Sequence, residues 1–200
     1  MTESICPLVG RAQVIEDVQA FLDAGRSVLL VGPHGSGKTA IINAVRREEM
    51  LVVDPFAAIT APRAAALRRA LDRGVRVLGA ACSLDRSKTG HVGRVAWRFE
   101  RVYVRPLAPR VIGRIVRRQL EAQAAAGLTL DPKWMSAAVE AAAGLPGRAV
   151  ALASVAAARW REREVVLPPR LALVMAWQDG LAGTSGYLDT TGRRPGESSS

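Results

Sequence analysis

Apolar residues recur at Val14, Val18, Phe21 and Leu22 with Glu16, Asp17 and Asp23 between them. That i, i+4, i+7, i+8 spacing predicts an amphipathic helix over residues 11–23. Ser27–Val31 is then a short apolar run ended by Gly32-Pro33, the form of a strand buried on both faces. Thr39–Glu49 has helical character and leads at once into Met50-Leu51-Val52-Val53-Asp54, a second apolar strand closed by Pro55. A helix over residues 61–73 passes through Gly74 into a third strand, Val75–Ser83, and Val102-Tyr103-Val104 forms a short fourth before Pro106. Beyond it the pattern is helical only: residues 109–125, 132–143 and 147–163, separated by Gly127, Asp131-Pro132 and Gly144-Leu145-Pro146-Gly147, with a further helix over 169–180. Strands alternating with helices, followed by helices alone, predict an α/β fold: a parallel sheet of about four strands with helices on both faces, then a small α-helical bundle. The expected division is a core over 1–108, a helical part over 109–182 and a Gly-, Ser- and Thr-rich tail over 183–200 that frays.

Composition narrows the partners. With 49% hydrophobic and 23% charged residues the chain of 200 residues builds a globular core and is not a disordered one. Aromatics at 4% argue against rows of base-stacking rings, and Cys6 and Cys82 alone cannot make a disulfide framework or a tetrahedral zinc site. The first residues have no basic, apolar leader pattern and no stretch is apolar enough to span a bilayer, so a cytoplasmic protein with no membrane contact is expected. The net charge of +10 favours polyanions. Yet 25 of the 28 basic residues are arginine, the lysines being Lys38, Lys88 and Lys133, and a GC-rich genome produces that bias without any nucleic acid partner.

The chemistry is carried by Gly32-Pro33-His34-Gly35-Ser36-Gly37-Lys38-Thr39, which matches GxxxxGK[ST] at every fixed position, after a buried strand and before a helix. The glycines let consecutive backbone N–H groups turn inward around a β-phosphate while the helix directs its positive end at the same anion. Lys38 reaches the β- and γ-phosphates and the Thr39 hydroxyl holds Mg²⁺, so ATP and Mg²⁺ are the expected cofactors. His34 occupies a variable loop position and reads as a solvated side chain.

Three flanking segments resemble AAA+ and STAND ATPases. Leu8-Val9-Gly10-Arg11, at the start of the first helix, is similar to a VGR segment that in those families packs against adenine, which assigns Val9 and Gly10 to the base. Trp97-Arg98-Phe99-Glu100 followed by Tyr103-Val104-Arg105-Pro106-Leu107 resembles the segment that closes the AAA+ core: an arginine-finger position, the last strand and the passage into a helical lid. Gly144-Leu145-Pro146-Gly147-Arg148-Ala149-Val150 looks like the lid motif of clamp-loader subunits and STAND proteins, where Pro146 or a sensor 2 arginine, here Arg148, approaches the nucleotide. The resemblance spans residues 7–163 and makes residues 1–108 a P-loop core and 109–182 a lid.

The chain also departs from that pattern. Only Ala40–Glu49 separates Thr39 from the second strand, too little for the helix and edge strand that AAA+ cores carry there. The sheet is therefore expected to end at the second strand, its new edge covered. Asp54 then becomes the Walker B carboxylate beside the metal, or simply an Asp-Pro turn. Pro55 stands where the family's water-polarising glutamate belongs, which predicts weak hydrolysis; Glu48 and Glu49 precede the strand and are expected to pair with Arg46 and Arg47. Ser83 falls at the polar sensor 1 position, with an ordinary loop serine as the other reading, and Cys82 is expected in the core. Arg98, with Arg94 as second choice, is either a finger acting on a neighbouring subunit or a solvated surface arginine.

Arg110, Arg114, Arg117 and Arg118 lie opposite Val111, Ile112, Ile115, Val116 and Leu120, and no acid interrupts residues 101–120. This face suits a duplex backbone, or is a solvated lid face. Leu171, Val174, Met175 and Trp177 read as core or partner packing. Three functions fit: an oligomeric AAA+-like ATPase or switch in DNA transactions, built of like or related subunits; a STAND-like regulatory ATP switch needing a partner protein; and a small-molecule P-loop kinase, against which the Val9-Gly10-Arg11 segment and the helical remainder count.

Overall fold

A computed structural model describes residues 8–56, 59–84, 91, 93, 95–123, 131–163 and 166–180. Cys6, Lys88, Arg94, Gly127 and the tail over 183–200 lie outside the described residues. The elements are α1 (Ala12–Asp23), β1 (Val28–Val31), α2 (Lys38–Val45), β2 (Leu51–Val53), α3 (Ala61–Asp72), β3 (Val77–Ala81), a 3₁₀ turn (Ala96–Arg98), β4 (Glu100–Tyr103), α4 (Pro109–Ala122), α5 (Pro132–Ala142), α6 (Pro146–Arg163) and α7 (Pro169–Gln178). The chain forms two compact units, 1–111 and 112–200, with the boundary inside α4.

In the first unit the strands run parallel in the order β2-β3-β1-β4, with Val28 level with Leu78 on one side and Glu100 on the other. Alternate residues of β1 face opposite layers. Val28 and Leu30 join Val18, Leu22, Ile41 and Val45 of α1 and α2, while Leu29 and Val31 join Phe56, Leu67, Val95 and Phe99 on the side of α3. Helices therefore cover both faces, as the apolar runs require, and the absence of an inserted element between α2 and β2 leaves β2 at the margin of the sheet. That margin is only partly covered, Leu51 being 41% exposed.

Gly79 marks the tightest point of the α3 layer, where a Cβ would lie 2.7 Å from a ring carbon of the buried Phe56 and 3.0 Å from Leu29. We expect Gly79→Ala to cost about 1–3 kcal/mol through overpacking. A denaturant titration checks it, and an unchanged midpoint contradicts the packing described.

The second unit is helical, α6 packing against α5 and α7, and its buried residues include many alanines, among them Ala138, Ala142, Ala149, Ala153, Ala156, Ala172 and Ala176. Small side chains bring the helices close. Asp131 caps α5 by accepting from the Lys133 amide (2.8 Å), with Pro132 in the first turn. On α4, Val111, Ile112, Ile115, Val116 and Leu120 are all buried, and Arg110, Arg114, Arg117 and Arg118 are all exposed. Leu171, Val174 and Trp177 on α7 are exposed too, with Met175 half-buried, so the first three are not core residues. Among the described residues no helix is long and apolar enough to cross a membrane.

At two places the structure differs from what the sequence pattern predicts. Helix α2 stops at Val45 because Arg46 is extended (ψ 135°), so Arg46–Glu49 offers no helical i, i+3 geometry; Arg47 pairs with Asp23 (2.7 Å) and Glu49 with Arg76 (2.9 Å). Strand β3 ends at Ala81, level with Val31, where its ladder partner turns away into the glycine loop. Cys82 is consequently exposed and not in the core.

Candidate functional site

The loop over residues 32–37 leaves the carboxyl end of β1, which lies between β3 and β4, the place in a parallel sheet where ligands are received. Gly32 keeps the ladder for one more residue, its N–H donating to Ala81 O (3.1 Å). It must be glycine, because a Cβ there would meet Val104 O at 2.5 Å. Gly35 (φ 76°) and Gly37 (φ 94°) then take left-handed conformations, and Gly37 forms the N-cap of α2. Pro33 and His34 are exposed at the tip, whereas Ser36 is buried with its Oγ lacking a partner among the described residues.

Lys38 folds back over this loop: its Nζ donates to Gly32 O (2.8 Å) and Pro33 O (3.0 Å) and only 8% of the residue is exposed. Desolvation pushes its pKa below the ordinary lysine value, while Cys82 and Asp54 pull it back up. Thr39 Oγ1 donates to Asp54 Oδ2 at 2.7 Å. The strand-end carboxylate therefore sits against the loop's own threonine, which a turn cap alone does not require. Ser83, half-buried, follows the exposed Cys82 just past β3.

These residues fit a polyphosphate with a divalent cation. The donors are the Lys38 ammonium, a helix N-terminus and the buried Ser36 hydroxyl, without a partner among the described residues; the cation ligands are two hard oxygens, on Thr39 and Asp54. Among the described residues no cluster of three or more His, Cys, Asp or Glu offers a different metal site.

The remaining residues singled out from the sequence stand elsewhere. Gly10 (φ 78°) is part of a turn closed by Arg11 N–H to Leu8 O (3.0 Å), and a Cβ on it would lie 2.9 Å from Val111, so Val9 and Gly10 sit beside the start of α4. Arg98 lies at the opposite end of the sheet from the loop: Glu100, two residues on, is level with Val28 at the start of β1. Four strand residues at roughly 3.3 Å each separate the two ends, farther than an arginine side chain reaches. There it pairs with Asp72, its guanidinium 5.9 Å from the Trp97 ring centre, beside a cavity of about 210 Å³ that Arg26 and Glu100 also line. Pro146 and Arg148 belong to the second unit, where Arg148 lies over the Trp177 ring at 5.6 Å.

Sequence reasoning missed two partners. One is Asp72; nothing in a linear pattern joins it to Arg98. The other is Arg11, which was visible as part of the Leu8-Val9-Gly10-Arg11 segment but is buried against the loop itself, donating to Ser36 O (2.7 Å) and Arg105 O (2.8 Å).

No protein-family model matches the sequence, and no curated protein is similar to it at a significant level. Solved structures do match in fold. The RuvB Holliday junction branch migration motor of Thermotoga maritima superposes with a TM-score of 0.55 at 13% identity, over 86% of this chain and 70% of that one. Two point variants of the same RuvB superpose at 0.58 (13% identity, 86% and 70%) and 0.57 (12% identity, 89% and 73%). The four-stranded parallel sheet with its helices thus shares its fold with these RuvB structures.

Proposed function

We propose that this chain binds ATP and ADP with Mg²⁺ at residues 32–39 and Asp54, as an AAA+-like ATPase or nucleotide switch that hydrolyses slowly. The observation that carries the reading is the 2.7 Å hydrogen bond from Thr39 to Asp54, which joins the two residues a P-loop site needs at its metal. Within this reading the backbone amides around Gly35–Gly37 receive the β-phosphate, and Lys38 exchanges its carbonyl partners for phosphate oxygens. Thr39 and Asp54 hold Mg²⁺, which would neutralise charge on the terminal phosphates. Val9 and Gly10 take the base. Residues 1–108 act as the nucleotide core and 109–182 as a lid carrying Pro146 and Arg148. Ser83 serves as sensor, and Arg98 acts on the neighbouring subunit of an oligomer. The exposed arginines of α4 contact DNA in that assembly. The RuvB likeness is in keeping with these finer points only as analogy of fold.

Pro55 favours a second reading, a regulatory switch that depends on a partner protein: no carboxylate lies within several positions after Asp54 to orient water. Turnover by the isolated chain is expected below about one per second, the low end of ordinary enzymes. Pro55→Glu is the companion. A steady-state assay with released phosphate tests both, and wild-type turnover well above that limit contradicts the assignment of Pro55 to the water-orienting position. Phosphoryl transfer to a small acceptor in place of water would instead favour a kinase.

A further inference from the structure

Arg11 is the one described arginine whose side chain is sequestered inside the first unit, at 4% exposure. Buried guanidinium groups ordinarily face carboxylates. Among the described residues no carboxylate lies within ion-pair distance of this one, and both partners it finds are backbone carbonyls. One is Ser36 O, a peptide inside the glycine loop at 2.7 Å; the other is Arg105 O at 2.8 Å, just beyond β4. The two buried side-chain polar atoms without a partner among the described residues are Arg11 Nε and Ser36 Oγ, and both belong to the residues that this contact joins. A positive charge has thus been desolvated directly behind the loop, and Lys38 has been desolvated in front of it.

From this arrangement we infer that Arg11 is a positioning residue of the phosphate site: its fork ties the Ser36 peptide to the strand-exit carbonyl of Arg105, and its charge is balanced by the β-phosphate of the bound nucleotide. The inference rests on the nucleotide site proposed above. Pulling Ser36 O backwards points the following N–H, that of Gly37, the other way within the peptide plane, since the two groups of one trans peptide are antiparallel. The loop amides are then oriented before any anion arrives, which reduces the ordering that binding would otherwise require. Lysine cannot replace the fork, because a single ammonium does not reach two carbonyls in a fixed plane.

The test compares wild type, Arg11→Lys and Arg11→Met by calorimetric titration with ADP and with AMP, which carries the base and sugar but no β-phosphate. Loss of a charge-assisted contact should lower ADP affinity about tenfold or more, with AMP affinity unchanged, so the ADP-to-AMP ratio falls in both variants. A general loosening of the fold lowers both affinities together and leaves the ratio as it was. Hydrogen exchange without nucleotide supplies a second readout: the loop amides over residues 36–38, next to the carbonyl that Arg11 holds, should exchange faster in Arg11→Lys than in the wild type while those of β3 exchange as before. An unaltered ratio in Arg11→Lys, or unchanged exchange over residues 36–38, overturns the role of Arg11 while leaving the nucleotide site intact. Failure of the wild type to bind ADP overturns the site and this inference together.

Discussion

Lys38→Ala is expected to bind ADP at least roughly tenfold more weakly than the wild type, the scale of one hydrogen bond to a charged group, while melting no lower without nucleotide. The two halves have one cause. In the free protein the Lys38 ammonium is held out of water by the carbonyls of Gly32 and Pro33, and desolvation lowers its pKa from 10.5. A lysine whose folded pKa lies below its unfolded value binds fewer protons folded than unfolded in the window between the two, so stability from this group rises with pH there. Below that window the full cost of the buried charge is present, and alanine removes it. A bound polyphosphate favours the charged form instead, so wild-type ADP affinity should fall as pH rises through that window while that of Lys38→Ala stays flat. Thermal melts with and without ADP check the first half and titrations at several pH values the second. Equal ADP affinity in the two proteins removes Lys38 from the site.

Arg98→Ala is expected to abolish ATP-dependent assembly and DNA binding together, whereas Arg114→Ala with Arg118→Ala should spare assembly and weaken DNA binding alone. Arg98 stands at the amino end of β4, on the far side of the sheet from its own phosphate loop, and in the free chain it rests on Asp72. If it serves a nucleotide, that nucleotide belongs to a neighbour. Assembly would repeat the exposed arginines of α4 along a duplex, so several weak phosphate contacts per subunit act as one multivalent surface. Removing two such contacts per subunit should reduce the slope of log affinity against log salt by about 0.9 for each phosphate released. Light scattering after size exclusion reads assembly, and fluorescence anisotropy of a labelled duplex reads binding. A monomer in saturating ATP and DNA, or DNA affinity indifferent to Arg98, contradicts the coupling.

Much of this was legible along the chain because the signals are local. Ser27–Val31 followed by the glycine loop fixes a strand, a turn and a helix within thirteen residues of sequence, 27–39, and the short interval to Met50 foretold a sheet ending at β2. What was not legible depends on contacts between distant segments. Arg11 meets residues 25 and 94 positions away, and Arg98 meets Asp72 across 26. Cys82 was misplaced because β3 looked long enough to bury it. The length of a strand is set by its neighbour, and β1 turns away after Val31, leaving Cys82 beside the loop and near Lys38. The pairing expected of Glu49 failed for a related reason: α2 ended a turn early, and the carboxylate reached Arg76, just before β3.

The central claim, that residues 32–39 and Asp54 form one Mg²⁺-nucleotide site, is met most directly by calorimetric titration of the wild-type chain with ADP, in Mg²⁺ and again in excess EDTA. One saturable site per chain is expected, tighter with Mg²⁺ through Thr39 and Asp54, with a Mg²⁺ effect that disappears in Asp54→Asn. No saturable heat at millimolar ADP, or a Mg²⁺ effect that survives Asp54→Asn unchanged, would contradict it.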